Sequence, residues 1–411
     1  MKIQKFTYAL FCFAFLFSCS NEYLPSGELP IKLQKISNRI GVEEAYRDYV
    51  EEAIAFLDEQ SLSKSRSSRA VNSVSSLLFG DVKASAMKSG KYKNLEISDT
   101  LAYVFNFGDS SGFVIVSNDK RVEIPLFAFT EKGSLLNGKT DNPGLALFLE
   151  RLEGYVLNSI AKSGKNDEKK EVMTVAQRGP IYYLIGARPI VNPLVSVAWG
   201  QGKPFNNNVG GQCNNNGTGN NKYQAGCVAT AIAQIMSYWK YPTNLGGITY
   251  NWTTLNNYKK NDDFNQSSTA TTMVADLFQR IGTGVNMQYG CYKSETVPPE
   301  AAINFLIKPS TGFTLYSNPS NAKFRNYDNM FVQMALQDYG PLLAVDNSAG
   351  HAWVIDGMAY IYVPITPDPY KIYYVHNNWG FNEEDDGYYL EGVFDPLDFN
   401  FNNVKVGLVY R

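Results

Sequence analysis

Apolar residues recur at helical spacing over residues 42–57. Val42, Ala45, Tyr46, Tyr49, Val50, Ala53, Ile54 and Leu57 are interleaved with Glu and Arg, which predicts an amphipathic helix. Residues 61–76 are rich in serine and read as a loop. Between Leu101 and Phe129 the pattern becomes short apolar runs separated by turn residues, Gly108 to Gly112 and Ser117 to Asp119. That pattern predicts a small antiparallel sheet. After Asn142-Pro143, Leu145, Phe148, Leu149, Leu152, Tyr155 and Val156 share one helical face. Helix, sheet and helix together make a compact α+β unit.

Residues 162–171 carry charge and almost nothing apolar, as expected of an exposed linker. A domain boundary is expected between this stretch and Arg188, placed at 178/179. Lys165, Lys169, Lys170, Arg178 and Arg188 are candidate cleavage positions. The second half opens with Trp199-Gly200-Gln201-Gly202. An Asn- and Gly-rich loop over 206–224 then leads to Gly226-Cys227. Val228, Ile232, Ile235, Met236 and Trp239, interleaved with alanines, predict a buried helix that Pro242 ends. Residues 351–355 predict a strand ending near Gly357, with His351, Trp353 and Ile355 on one face and Asp356 on the other.

A length of 411 residues allows two or three domains. A net charge of −2 gives no basic face for nucleic acid. The five cysteines, at 12, 19, 213, 227 and 291, show no zinc-ligand spacing, and neither metal nor cofactor is expected. Cys213 and Cys291 read as two free thiols, with a disulfide between them the open alternative. At the N-terminus, Lys2 and Lys5 precede an apolar stretch over residues 6–17, too short to span a bilayer and shaped like a signal peptide. Leu16-Phe17-Ser18-Cys19 resembles a bacterial lipobox, which makes Cys19 the candidate lipidation site. An exported protein is expected, secreted or held at the cell envelope, meeting membrane only through that anchor.

The candidate chemistry is narrow because the chain has only two histidines, His351 and His376. A nucleophilic cysteine needs a base beside it. Cys227 opens a helix, where the helix dipole favours thiolate; with an imidazolium partner such a thiol can fall to a pKa of about 3–4. His351 has the better local context as the base, and His376 reads as structural. A side chain within residues 374–380 could orient the imidazole. Gln201 could donate to a developing oxyanion.

From about residue 189 to the C-terminus the chain resembles the streptopain family of bacterial cysteine proteases. The matching stretches are 199–206, 226–242, 350–357, 378–380 and 386–389. The resemblance implies a papain-like, two-subdomain α+β protease, with Cys227 as nucleophile, His351 as base, and Gln201 and the Cys227 amide in the oxyanion hole. It also implies that the pair Asn378 and Trp379 serves the orienting position, with Trp379 favoured to pack on the imidazole. The first half resembles the family's propeptide, especially at 113–119. The expected organisation is a signal peptide over 1–18, an inhibitory α+β prodomain over 19–178 that partners the protease, and a protease over 179–411 acting on proteins or peptides. Two rivals are another Cys-His acyl transfer, such as an amidase or transglutaminase-like reaction, and a non-catalytic adhesion or inhibitor protein on the same fold. The run Glu383 to Asp386 departs from the family pattern and reads as a solvated loop.

Overall fold

A computed structural model describes residues 18–19, 33–35, 39–60, 69–80, 83, 96–136, 140–166, 185–214, 218–291, 293–296, 299–316, 323–346, 350–363, 370–394 and 404–411. The N-terminal unit contains strand β1 (Leu33–Lys35), helix α1 (Arg39–Gln60), strands β2 (Val71–Leu78), β3 (Thr100–Phe107), β4 (Phe113–Ser117) and β5 (Leu126–Thr130), and helix α2 (Pro143–Asn166). The C-terminal unit contains β6 (Ile185–Val191), α3 (Cys227–Trp239), α4 (Ser268–Gly284), α5 (Asn329–Asp338), β7 (Leu342–Asp346), β8 (His351–Val363), β9 (Tyr370–Asn378), β10 (Gly387–Leu390) and β11 (Val404–Gly407).

The two units share one 12-stranded sheet. Its order runs from the two-residue strand Arg325–Asn326 through β11, β7, β8, β9 and β10, then β5, β4, β3, β2 and β1, with β6 pairing β8 off this path. The seam is the antiparallel pair β10–β5, in which Gly387, Tyr388 and Tyr389 face Thr130, Phe129 and Ala128. Phe129 stacks on Tyr388 with centroids 5.3 Å apart, and Phe56 of α1 meets Tyr388 edge-on at 4.9 Å. Both aromatic groups bridge the seam. Within α2, Leu145, Phe148, Leu149 and Leu152 are fully buried. Each is worth about 1.5–3 kcal/mol of burial, so docking of the first unit is chiefly apolar.

Two hydrophobic cores flank β8. One takes Trp353 and Ile355 and runs through α1, α2 and the sheet; the other takes Ala352 and Val354 and is built on α3 and α4. Period-two alternation thus sends one strand's side chains into both halves.

Three sequence expectations change. Residues 71–76, read as part of a serine loop, belong to β2, because its serines are inside the sheet: Ser75 and Ser76 are buried, and Ser76 Oγ donates to the Gln34 carbonyl. α2 continues to Asn166, so part of the expected linker is helical; residues 167–171 lie outside the described residues. β8 does not end near Gly357 but continues to Val363, past a register shift between Ile355 and Gly357.

Candidate active site

α3 begins at Cys227 because Gly226 turns the chain sharply. Its φ is +92°, and a Cβ there would lie 2.7 Å from the Met287 methyl. Only glycine accepts both conditions. The helix stops with Lys240 in the left-handed region. Eleven of its residues are buried, two of them the polar pair Thr230 and Gln234 on one stripe. These two fix the segment over 199–201. Gln234 Nε2 donates to the Trp199 carbonyl at 3.1 Å, Thr230 Oγ1 to the Gly200 carbonyl at 3.3 Å, and Ala225 N–H to the Gln201 carbonyl at 2.9 Å. Gln201 is therefore held beside the start of α3. Its Oε1 is buried and meets no hydrogen-bond partner among the described residues. It lines a cavity of about 310 Å³ together with Lys203, Thr218, Asp262, Phe381 and Asn382.

The Cys227 sulfur accepts the Ala352 N–H at 3.3 Å, which joins the helix start to the residue after His351. His351 is 3 % exposed. Neither ring nitrogen makes a well-formed hydrogen bond among the described residues. Burial lowers its pKa to about 4; a Trp379 main-chain group and the Asp346 carboxylate act in the opposite direction. The ring lies parallel to Trp353 at 5.8 Å and tilted against Trp379 at 6.3 Å.

Asn378 and Trp379 separate in role. Asn378 Oδ1 accepts from Gln234 Nε2 at 2.8 Å and from the Gly380 N–H at 3.2 Å, and its Nδ2 donates to the Val197 carbonyl at 2.8 Å. That side chain is spent on the turn, away from the imidazole. The Trp379 ring is the one beside His351, and the residue's main-chain N–H donates to Asp386 Oδ1 at 2.9 Å.

His376 lies elsewhere, on β9. Its Nδ1 pairs with Asp356 Oδ1 at 2.6 Å and its Nε2 approaches Glu131 Oε1 at 3.6 Å. Burial alone would lower its pKa, but Asp356, Glu131 and Asp386 outweigh it and raise the value to about 9. Asp356 also accepts the Val195 N–H at 3.0 Å.

The first unit covers this region. Asn142 caps α2 by accepting the Gly144 N–H at 2.9 Å, while its Nδ2 donates to the Glu384 carbonyl and to Asp385 Oδ2. Gly144 lies against the Trp379 ring. Further along the helix, Arg151 forms a buried ion pair with Asp346. Two expectations are corrected here. The acidic run is not a solvated loop: Asp385 and Asp386 are buried, Asp385 on the first unit and Asp386 as acceptor for Trp379, while Glu383 pairs with Lys260 at 2.5 Å. Burial raises the Asp385 pKa to about 8 and Asp386 well above the usual carboxylate range. Cys213 and Cys291 are not free thiols but a disulfide, Cα–Cα 5.5 Å.

Comparison with known proteins gives the chemistry a class. Residues 199–389 match the Peptidase C10 family, and residues 50–156 match the Spi protease inhibitor. This chain is a streptopain-like cysteine peptidase with its propeptide attached. Streptopain of Streptococcus pyogenes is 26% identical over 344 residues, covering 73% of this chain and 76% of that protein. The thiol protease/hemagglutinin PrtT of Porphyromonas gingivalis is 25% identical over 350 residues, covering 74% of this chain and 35% of that protein. A solved fragment of prointerpain A from Prevotella intermedia superposes with a TM-score of 0.52 at 23% identity, covering 77% of this chain and 96% of that chain. The fold is papain-like, α+β, with a prodomain.

Sequence reasoning passed over three side chains of the peptidase's site: Gln234, Asp346 and Asp386. The signal for Gln234 was present, since two polar residues spaced i, i+4 in an otherwise apolar helix mark a buried polar contact. Asp346 and Asp386 gave none, because their partners are distant in the chain or on the main chain.

Proposed function

We propose that this peptidase is made as an exported zymogen and cleaves peptide bonds through a Cys227–His351 dyad. The observation that carries this reading is the Ala352 N–H to Cys227 sulfur contact of 3.3 Å. It brings the nucleophile at a helix start to the strand that bears the better-placed of two histidines. The Cys227 thiol gives its proton to His351 and the thiolate attacks the scissile carbonyl carbon. The Gln201 side chain and the Cys227 N–H donate to the tetrahedral oxyanion. His351 returns the proton to the leaving amine, then takes one from water as the thioester is hydrolysed. Trp379 packs its ring beside the imidazole, 6.3 Å between centroids, and limits its rotation. Asn378 acts one step back, fixing the turn that carries Trp379.

In this reading residues 1–18 direct export and Cys19 carries a lipid anchor. Residues 19–178 are the propeptide and 179–411 the protease. The activating cut falls between the body of the propeptide helix α2 and strand β6, where Lys165, near the end of that helix, stands beside the further candidates. Those are Lys169, Lys170 and Arg178, whereas Arg188 is paired with Tyr360 in the sheet.

The test is the Cys227→Ala variant beside the wild type under reducing conditions, followed by mass spectrometry and a denatured protein substrate. Loss of an N-terminal fragment in the wild type alone, with substrate cleaved only by that sample, is expected. Full activity in Cys227→Ala would sink the dyad. Incorporation of an added amine in place of hydrolysis would favour a transferase, and a thiol that iodoacetamide cannot label after processing would favour the non-catalytic rival.

A further inference from the structure

Asp346 ends β7 and His351 begins β8, and the two are register partners across the antiparallel pair. Partners in such a ladder project to the same face with Cβ atoms about 4.5–5.5 Å apart. Gly350 N–H donating to the Asp346 carbonyl at 3.0 Å closes the hairpin and fixes that juxtaposition. The Asp346 side chain is fully buried, and its carboxylate forms an ion pair with Arg151, itself only 3 % exposed. Arg151 belongs to the propeptide helix α2, so this pair crosses the line along which the zymogen comes apart.

We propose that Asp346 is a positioning residue for the peptidase reaction, its carboxylate claimed by Arg151 in the zymogen and turned to His351 once the propeptide leaves. The inference rests on the Cys227–His351 reading. A thiolate nucleophile needs its histidine charged and correctly rotated. In the zymogen the imidazole is buried, lacks a well-formed hydrogen bond, and faces a carboxylate already neutralised by a guanidinium. Departure of α2 carries Arg151 away and leaves the carboxylate's charge on the shared face. The groups that act on the imidazole from the surrounding elements are the Trp379 main chain after β9 and the Asp346 carboxylate on β7; Cys227 on α3 accepts from the residue after His351, and Arg151 on α2 reaches it only through Asp346. Glu150, beside Arg151, senses both Arg151 and Asp346. Of the acidic groups, Asp346 alone shares the His351 hairpin. The same residue would therefore serve latency and then catalysis: holding Arg151 keeps the propeptide docked and keeps the histidine from charging.

The test uses processed wild type, Asp346→Asn and Asp346→Glu, with kcat/KM measured against pH. Activity is lost at high pH when the imidazolium loses its proton. That limb should move down by about one pH unit or more in Asp346→Asn and stay near the wild-type position in Asp346→Glu. A limb unmoved in Asp346→Asn, or displaced equally by both variants, overturns the proposal. A purely structural role would lower activity at every pH without moving the limb. Because the chain has only two histidines, NMR titration of the His351 ring in latent and processed protein gives a second readout. The His351 titration should rise on processing, and an unchanged titration also overturns the proposal. Failure of the dyad itself looks different: wild type and Cys227→Ala would then behave alike.

Discussion

Gly144→Ala sets two known effects against each other, and the distances decide between them. Alanine in the first turn of α2 gains up to about 1 kcal/mol of helix propensity over glycine. A Cβ at this position, however, would lie 2.0, 2.4 and 2.7 Å from Cε3, Cδ2 and Cζ3 of Trp379. The closest of these falls about 1.4 Å short of the 3.4 Å at which ordinary contact begins. The tryptophan cannot retreat, being fully buried between Trp353 at 5.3 Å and Tyr389 at 5.2 Å. The start of α2 must lift instead, and so close an approach puts the overpacking cost in the upper part of the usual range, about 2–3 kcal/mol. After the propensity gain, the docked propeptide should lose about 1–2 kcal/mol, a factor of roughly 5–30 in the population of opened zymogen. Two measurements check this on the full chain. Self-conversion to the mature form, followed by mass spectrometry, should quicken by a factor in that range. In a Cys227→Ala background, where conversion is blocked, the thermal midpoint should fall. Conversion no faster than wild type with an unchanged midpoint would falsify the claim that the propeptide holds Trp379 through close contact at Gly144.

Gln201→Ala should lower kcat of the processed peptidase by about 10²–10³ while barely changing its thermal midpoint, since an oxyanion donor acts on the transition state; equal kcat would remove Gln201 from the mechanism. Asn378→Ala should behave in the opposite way. It removes one of the two acceptors of Gln234 Nε2 and the donor to the Val197 carbonyl, costing about 1–3 kcal/mol of stability, with the pH profile unmoved, as unfolding and kinetics would show. The zymogen should loosen as pH rises. Burial, chiefly, raises Asp385 from 3.8 to about 8, so its contribution is whole below 3.8 and gone above about 8. His376, charged despite burial because of Asp356 and Glu131, contributes fully below 6.5 and loses it through about 9. The thermal midpoint of Cys227→Ala zymogen should therefore fall between pH 7 and 9; a rise over that window would contradict the assignment.

Much of the fold was legible because its elements carry strong periodicity. The stripes on α1, α2 and α3 and the short runs of β3 to β5 each state which face is buried. β2 was hidden because serine was taken as a loop residue, whereas inside a sheet its hydroxyl finds a carbonyl and its small volume suits a crowded ladder. The joining of both units into one sheet was illegible for a different reason: strand pairing across some 250 positions leaves no local trace. At the site, scarcity did the work. With two histidines and one cysteine at a helix start, few pairings were open. Asp385 and Asp386 were misread because charge density along a chain is blind to what the chain folds against, here Asn142 and the Trp379 N–H. Cys213 and Cys291 are separated by 78 positions, and no spacing rule reaches that far.

The seam between β5 and β10 has a consequence beyond latency. Once the propeptide is gone, Gly387 to Tyr389 present main-chain donors and acceptors that had been satisfied by Ala128 to Thr130, and the fresh enzyme carries a raw border open to strand addition by a passing chain. Two features blunt that hazard. The bared stretch is short, three residues of a four-residue strand. Immediately before it stand Asp385 and Asp386, which regain water and ionise as their cover departs, setting negative charge beside the opening so that two processed molecules repel where they would otherwise zip together.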